Sequence, residues 1–183
     1  MIYTAGELKL SLGGFAKIND AVNKGKYHKL SHGLYTDESP FLSEPENIFA
    51  RYPNAILTLE SAFEYYDMFD YISGCYVVAT PLKSHRIRNQ KVRQFYMSKN
   101  ILDIGKTTIK TEYGYINIYD KERLLIELFR LKSKISYEHY KEVVRSYRKL
   151  AQRGELNYNK ISDYCMKFSN GERLLEQIQE IIL

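Results

Sequence analysis

Helical and strand-like patterns alternate over the first forty residues of the chain. Thr4 and Glu7 have the spacing of a capping box, which predicts a short helix that continues to about Leu10. A glycine pair separates it from residues 15–22, where apolar side chains recur at helical spacing. Gly25 stands where the C-cap glycine of this second helix belongs. The pattern therefore predicts two short helices joined by a tight turn.

A predicted β-hairpin follows the second helix. Residues 26–31 and 34–36 flank the turn His32-Gly33, a pattern typical of a hairpin with glycine in its turn. Two helices followed by a basic hairpin is the order of a winged helix-turn-helix, whose second helix lies in the major groove. The predicted DNA-binding residues are Lys17, Asn19, Asn23 and Lys24 on the helix, and Lys26, Lys29 and His32 on the wing. A small α+β lead-in without DNA contact has the same order of elements and stays open as an alternative.

The rest of the chain predicts a mixed domain that ends in helices. After a linker at 37–44, the predicted elements are a helix over 44–52, a helix over 58–68 capped by Thr58, strands over 75–80 and 92–97, a hairpin over 107–119, a buried helix from Asp120, a helix capped by Ser136, and helices over 158–168 and 171–182. The predicted fold class is therefore mixed α+β. A winged helix-turn-helix-like segment at 1–40, which helix 44–52 would complete, precedes an α/β domain at 41–183 with a C-terminal helical portion.

Composition narrows the class of protein. The chain has 183 residues, of which 44% are hydrophobic and 27% charged, and these fractions are those of an ordinary folded protein. The two cysteines, Cys75 and Cys165, exclude a disulfide scaffold and favour a reducing compartment. No apolar run reaches the roughly 20 residues of a membrane span, and the start lacks the pattern of a signal peptide. The sequence predicts a cytoplasmic protein with no membrane partner.

Charge is distributed unevenly along the chain, which has a net charge of +5. Residues 37–70 contain many acids and the single base Arg51, whereas residues 81–100 contain bases and no acid. A basic segment attracts phosphate backbones or acidic proteins. Two alternatives stay open: the two segments face each other, or both are solvated surfaces.

Motifs of catalysis and of cofactor binding are weak. Gly105-Lys106-Thr107 has the ending of a P-loop, but Asn100 stands where its first glycine is required, so we reject nucleotide binding. Neither the histidines nor the cysteines have the spacing of a zinc site, and Cys75 is expected inside an apolar strand. We expect no cofactor, no metal and no catalytic activity. A metal-dependent nuclease that uses Asp103, Lys110 and Glu112 remains an alternative, as does a protein-interaction module without DNA binding.

Several segments, in order along the chain, resemble the AbiEi family, the antitoxins of type IV toxin–antitoxin (abortive infection) systems. The segments that carry the resemblance are residues 7–35 with the turn Gly33-Leu34-Tyr35, Pro53-Asn54-Ala55-Ile56-Leu57-Thr58 with Ser61-Ala62, the strand 76–81, the helix start Glu122-Arg123-Leu124-Leu125-Ile126-Glu127, and residues 137–148. In this family a winged-helix segment leads into the antitoxin domain.

The resemblance implies an antitoxin with two activities. Its N-terminal segment would bind operator DNA and repress its own operon. Its second domain would counteract a nucleotidyltransferase-type toxin without a stable complex. The residues predicted for this antitoxin surface are Lys83, Arg86, Arg88, Arg93, Lys141, Arg145 and Arg148. A solvated helix face stays open as the alternative for the last three.

Overall fold

The N-terminal part of the chain forms a small sheet with two helices. The computed structural model describes residues 1–37, 44–70, 74–111 and 114–182. The chain divides into two compact units: a first unit of Met1–Asn54 with Thr108–Ile116, and a second unit of Ala55–Thr107 with Asn117–Leu183. The elements of Met1–Asn54 are β1 (Ile2–Thr4), α1 (Ala5–Leu12), α2 (Phe15–Asn23), β2 (His28–Ser31), β3 (Leu34–Thr36) and α3 (Glu44–Arg51).

The predicted capping box at Thr4 is confirmed. The Thr4 hydroxyl accepts a hydrogen bond from the Glu7 N–H at 3.2 Å, and the Glu7 carboxylate accepts one from the Thr4 N–H at 2.7 Å. Helix α1 runs to Leu12, two residues beyond the predicted end, and Gly13 stops it with a φ of 83°. Such a left-handed conformation costs glycine little, so the glycine pair ends one helix and lets the next begin.

The small sheet has the order β1-β3-β2, with both pairs antiparallel. The predicted hairpin is confirmed, because Ser31 pairs with Leu34 across the turn at His32-Gly33. Its core joins Leu8 of α1, Ile18 of α2 and Tyr35 of β3. The sequence patterns did not predict β1, which pairs residue by residue with β3 and so completes the sheet.

The second sheet has five strands in the order β6-β5-β4-β8-β7. The elements from residue 55 onward are β4 (Ile56–Leu57), α4 (Leu59–Tyr65), β5 (Tyr76–Pro81), β6 (Val92–Met97), α5 (Lys99–Leu102), β7 (Lys106–Thr111), β8 (Gly114–Tyr119), α6 (Lys121–Arg130), a short 3-10 turn (Lys132–Lys134), α7 (Tyr137–Gln152), α8 (Tyr158–Cys165) and α9 (Gly171–Ile182). β4 pairs antiparallel with β5 and parallel with β8, and β5 pairs parallel with β6. The mixed α+β class is therefore confirmed.

Helix α6 is the centre of the second unit. All residues from Glu122 to Phe129 are buried, as its apolar pattern predicts. Asp120 caps it by accepting a hydrogen bond from the Arg123 N–H at 2.8 Å, and Ser136 caps α7 by accepting one from the His139 N–H at 3.2 Å. The predicted cap at Ser136 is confirmed, and the structure adds a cap at Asp120, where the sequence predicted only the start of the helix.

Several sequence predictions need correction. Thr58 holds the N-cap position of α4, but its side chain makes no capping hydrogen bond. That helix ends at Tyr65 rather than near residue 68, because the backbone turns to a positive φ of 52° at Asp67. Cys75 precedes strand β5 rather than lying inside it. Phe15 is 58% exposed, because α2 buries Ile18 and Ala21 instead.

Some predictions concern residues outside the described ranges. The predicted domain boundary between residues 40 and 41, most of the linker, Ser43 and the turn residue Tyr113 lie there. Among the residues that the structure describes, no helix is both long enough and apolar enough to cross a bilayer.

Candidate nucleic-acid interface

The exposed face of α2 carries the residues predicted to contact DNA. Lys17, Asn19 and Asn23 are exposed, while Ile18 and Ala21 are buried against the first unit's core. Lys24 is also exposed, and its Nζ lies 2.8 Å from the Asp20 carboxylate one turn earlier. This ion pair lowers the positive charge that Lys24 contributes to the face. The face is therefore polar and weakly basic, with amide groups between two lysines.

The β2–β3 hairpin provides the second part of the interface. Lys26, Lys29 and His32 are all exposed. Lys29 pairs in register with the buried Tyr35, so the hairpin anchors on its apolar residues and leaves its basic ones in solvent. The Gly33 C=O accepts a hydrogen bond from the Ala5 N–H at 2.8 Å, which fixes the turn to the start of α1. The predicted wing is short, since its strands have four and three residues.

Strand β1 strengthens this unit in a way that the sequence patterns missed. The Tyr3 hydroxyl donates a hydrogen bond to the Asp37 carboxylate at 2.8 Å. The Tyr3 ring packs edge-on against the Tyr27 ring, with 5.5 Å between the two ring centres. The terminal ammonium of Met1 also binds Asp37, and this contact lowers the pKa of the Asp37 carboxyl group. The apolar pair Ile2-Tyr3, directly before a capping box, is the sequence signal from which an ordered segment here could have been predicted.

Exposed apolar side chains lie at the junction of the two helices. Leu10 on α1 is 86% exposed and Phe15 on α2 is 58% exposed. The Lys9 ammonium lies 5.0 Å from the centre of the Phe15 ring. Helical periodicity assigns Phe15 to the core, but a helix of this length buries only the side chains that face its neighbours.

The basic residues predicted for the antitoxin surface fall into two groups. Lys83, Arg86 and Arg88 are exposed on the connection between β5 and β6. Arg93, on β6, is instead paired with the buried carboxylate of Glu60, and its guanidinium lies 5.5 Å from the Phe95 ring. Arg93 therefore holds β6 against α4, and its role in the structure is at least partly one of packing.

The second group lies on α7. Lys141 pairs with Glu138 at 3.0 Å and lies 4.7 Å from the Tyr137 ring. Arg148 donates a hydrogen bond from Nε to the Ile181 C=O at 2.8 Å, close to the end of α9. Arg145 is exposed. Lys141 and Arg148 thus make contacts within the protein, which reduces their availability to a partner.

Two of the three residues of the nuclease alternative lie within the described ranges. Asp103 is exposed and pairs with Lys106 at 3.4 Å. Lys110 is exposed on β7, and Glu112 lies outside the described residues. Within the described ranges, no group of three or more histidine, cysteine or acidic side chains is arranged to hold a metal ion.

Burial raises the pKa of the Cys165 thiol to about 11, which disfavours a nucleophilic thiolate there.

The glycine of the Gly-Lys-Thr segment has a packing role. Gly105 has a φ of 69°, and a Cβ at this position would collide with the Cβ of Arg123. The glycine therefore lets the turn before β7 approach α6 closely. Close packing against α6 therefore explains why a glycine stands at position 105, and no role in phosphate binding is needed to explain it.

The second unit has an open cleft of about 470 Å³ that is lined by Glu122 and residues 154–159. Lys160 Nζ lies 3.1 Å from the Asp120 carboxylate and 3.3 Å from the Glu122 carboxylate. Both acids belong to the start of α6, where the helix dipole favours negative charge, and Lys160 joins that start to α8. The charged groups at the cleft are thus already paired.

A comparison with protein-family models finds no match to this chain, and a comparison with curated proteins finds none either.

Proposed function

We propose that the protein is a DNA-binding regulator whose first unit binds the operator of its own gene. The observation that carries the proposal is the exposure of every predicted contact residue on α2 and on the β2–β3 hairpin. Helix α2 follows α1 after a two-glycine turn, and β1 pairs with the second strand of the hairpin. This order of helices and strands is compatible with a winged helix-turn-helix.

In the proposed complex, α2 enters the major groove. The amides of Asn19 and Asn23 can donate to and accept from base edges, whereas Lys17 is suited to a phosphate. Lys26 and Lys29 contact the adjacent backbone from the wing. The ion pair of Lys24 with Asp20 must open or reorient before Lys24 neutralises a phosphate, so Lys24 contributes least.

A salt titration tests this proposal. Binding to the DNA upstream of the protein's own gene is measured by fluorescence anisotropy at increasing salt concentration. If Lys17, Lys24, Lys26 and Lys29 each neutralise one phosphate, the slope of log affinity against log salt is about −3 to −4. Lys17→Ala and Lys29→Ala each reduce that slope by about one unit.

Lys167→Ala is the matched control, because it removes the same charge from an exposed lysine of the second unit. The slope of log affinity against log salt for this variant stays that of the unmodified protein. A slope near zero, or equal slopes for Lys29→Ala and Lys167→Ala, contradicts DNA binding through the first unit.

We further propose, from the resemblance to AbiEi antitoxins, that the second unit counteracts a nucleotidyltransferase-type toxin. The exposed bases Lys83, Arg86 and Arg88 support this proposal, because they are available to an acidic or phosphorylated partner. Co-expression with a nucleotidyltransferase-type reading frame next to the gene tests it, with growth as the readout. The triple variant Lys83→Glu, Arg86→Glu, Arg88→Glu loses the rescue of growth, while Lys17→Ala keeps it. If the unmodified protein fails to rescue growth, the antitoxin proposal is wrong.

A further inference from the structure

Strand β6 forms an edge of the five-stranded sheet. It pairs with β5 along its whole length, from Tyr76↔Val92 to Pro81↔Met97, and no strand follows it in the sheet order of the described residues. The pairing is regular, without a bulge. Natural proteins commonly protect such edges with bulges or prolines, and residues 92–97 have neither.

The backbone groups that point away from the sheet can be assigned. In a parallel pair, alternate residues direct both their N–H and their C=O to the same neighbour. The Tyr76 N–H donates to the Lys91 C=O at 2.6 Å, and the Leu82 N–H donates to the Met97 C=O at 2.8 Å. These two bonds show that the backbone N–H and C=O groups of Arg93 and Phe95 point toward β5. The backbone N–H and C=O groups of Val92, Gln94 and Tyr96 therefore point outward.

Among the described residues, none pairs with the outer edge of β6 over its second half. The Val92 N–H donates to the Asn89 C=O at 3.1 Å. In contrast, the backbone N–H and C=O groups of Gln94 and Tyr96 form no hydrogen bond outside the β5–β6 ladder with any residue within the described ranges. Tyr96 is 43% exposed, so water reaches this part of the edge. Two donors and two acceptors thus alternate along an accessible strand.

The connection between β5 and β6 carries positive charge and contacts the Gln94 side chain of this edge strand. The Ile87 N–H donates to the Gln94 side-chain oxygen at 2.8 Å, and the Gln94 side-chain nitrogen donates to the His85 C=O at 3.3 Å. These bonds hold the connection against β6. Arg86 and Arg88 flank the buried Ile87, are exposed, and form no ion pair with any residue in the described part of the chain. Residues 81–100 contain no acid.

We infer that the outer edge of β6 binds an extended acidic segment of a partner protein by strand addition. A polypeptide matches the edge because it offers both donors and acceptors at strand spacing, whereas a phosphate backbone offers acceptors alone. The arginines beside the edge select for acidic side chains. A second copy of this chain fits less well, because pairing two β6 edges would bring two basic connections together. The inference does not depend on DNA binding by the first unit.

Amide hydrogen exchange of the full chain, measured by NMR, tests the inference directly. The probe is a synthetic ten-residue peptide that alternates glutamate with valine and threonine. Without peptide, the outward Gln94 and Tyr96 amides exchange faster than the inward Arg93 and Phe95 amides. Saturating peptide slows the Gln94 and Tyr96 amides by about tenfold or more, because each forms a new hydrogen bond. The analogue with lysine in place of glutamate leaves them unchanged.

Two sets of variants separate the backbone and charge contributions. Tyr96→Pro removes one outward N–H at an edge position, where proline is tolerated, and weakens peptide binding about tenfold. Tyr96→Phe is its matched control and binds like the unmodified protein. The double variant Arg86→Glu, Arg88→Glu leaves the strand backbone intact and also weakens binding about tenfold or more. This double variant decides the matter if Tyr96→Pro does not fold.

Three results overturn the inference. In the first, Tyr96→Pro folds and binds the acidic peptide as tightly as Tyr96→Phe does, or the double variant binds undiminished. In the second, a single-stranded oligonucleotide protects the Gln94 and Tyr96 amides while the acidic peptide does not. In the third, these amides become protected without peptide as the protein concentration rises, which identifies a second copy as the occupant.

Discussion

Arg123 is the clearest case in which a single residue has a role that hydrophobic periodicity does not reveal. It lies on α6 and is fully buried, together with Glu127. Its Nε donates to Glu127 at 2.9 Å, and its Nη1 donates to the Ile101 C=O at 2.6 Å. The guanidinium also lies 4.5 Å from the Tyr119 ring. A buried charge of this kind is tolerated because nearly all of its donors have partners.

We expect Glu127→Ala to be among the most destabilising substitutions in the second unit. It leaves the Arg123 charge buried without its carboxylate and also removes the partner of Arg130, 2.9 Å away. Breaking a buried pair in this way costs about 3–5 kcal/mol in the free energy of unfolding. Urea denaturation followed by circular dichroism measures it.

Glu176→Ala is the control, because Glu176 is an exposed acid on α9. Its effect stays within about 0.5 kcal/mol. If Glu127→Ala costs no more than this control, the buried ion pair does not stabilise the fold.

The N-termini of α7 and α4 differ in how they are capped. Ser136 accepts a hydrogen bond from the His139 N–H, whereas the Thr58 hydroxyl is buried and has no hydrogen-bond partner among the described residues. Residue type and spacing favour a cap at both positions. The difference arises because α4 begins with a positive φ of 44° at Leu59, which alters the first turn.

The two caps therefore predict opposite results. Ser136→Ala lowers the free energy of unfolding by about 1 kcal/mol, because the helix start loses its hydrogen bond. Thr58→Val has the same shape as threonine and removes an unsatisfied hydroxyl, so it leaves stability unchanged or raises it. Thermal unfolding of both variants measures the effects. A loss of about 1 kcal/mol or more for Thr58→Val means that its hydroxyl has a partner in solution.

Tyr119 and Tyr147, which are buried, and Tyr66, which is half-buried, couple the stability of the second unit to alkaline pH. Burial, together with the nearby Asp120 charge, raises the pKa of Tyr66 to about 12. Burial also raises the pKa values of Tyr119 and Tyr147 above their ordinary range. These groups stay protonated in the fold, whereas in the unfolded chain they ionise near pH 10. Their contribution to stability is complete below about pH 10 and is lost as the pH rises toward the folded pKa values.

Urea midpoints measured between about pH 8 and pH 11 should fall steeply at the alkaline end. Each buried tyrosine contributes a slope of up to about 1.4 kcal/mol per pH unit. Tyr147→Phe loses the hydrogen bond to the Lys121 C=O, so it is less stable at neutral pH, but its alkaline slope is shallower. Tyr137→Phe changes a tyrosine that is 66% exposed and keeps the original slope. Equal slopes for the two variants would exclude Tyr147 as a source of the pH dependence.

Much of the element order was predictable, because it depends on local signals. The capping box at Thr4, the glycine turn of the hairpin, strand 92–97 and the caps at Asp120 and Ser136 all come from residues within a few positions of one another. The exposure of the α2 and hairpin lysines follows in the same way, since polar residues opposite an apolar face point to solvent.

The sequence by itself determined where most helices and strands lie and which residues carry charge to the surface, since helix caps, turn glycines and periodicity act over short distances. Only the tertiary structure decided how those elements pair. It placed β1 beside β3, left β6 as an edge, matched Arg93 with Glu60 and buried Arg123 against Glu127. Strand order and buried ion pairs join residues that are distant in sequence or hidden within an apolar pattern. They depend on the packing of the whole unit, and no local signal specifies them.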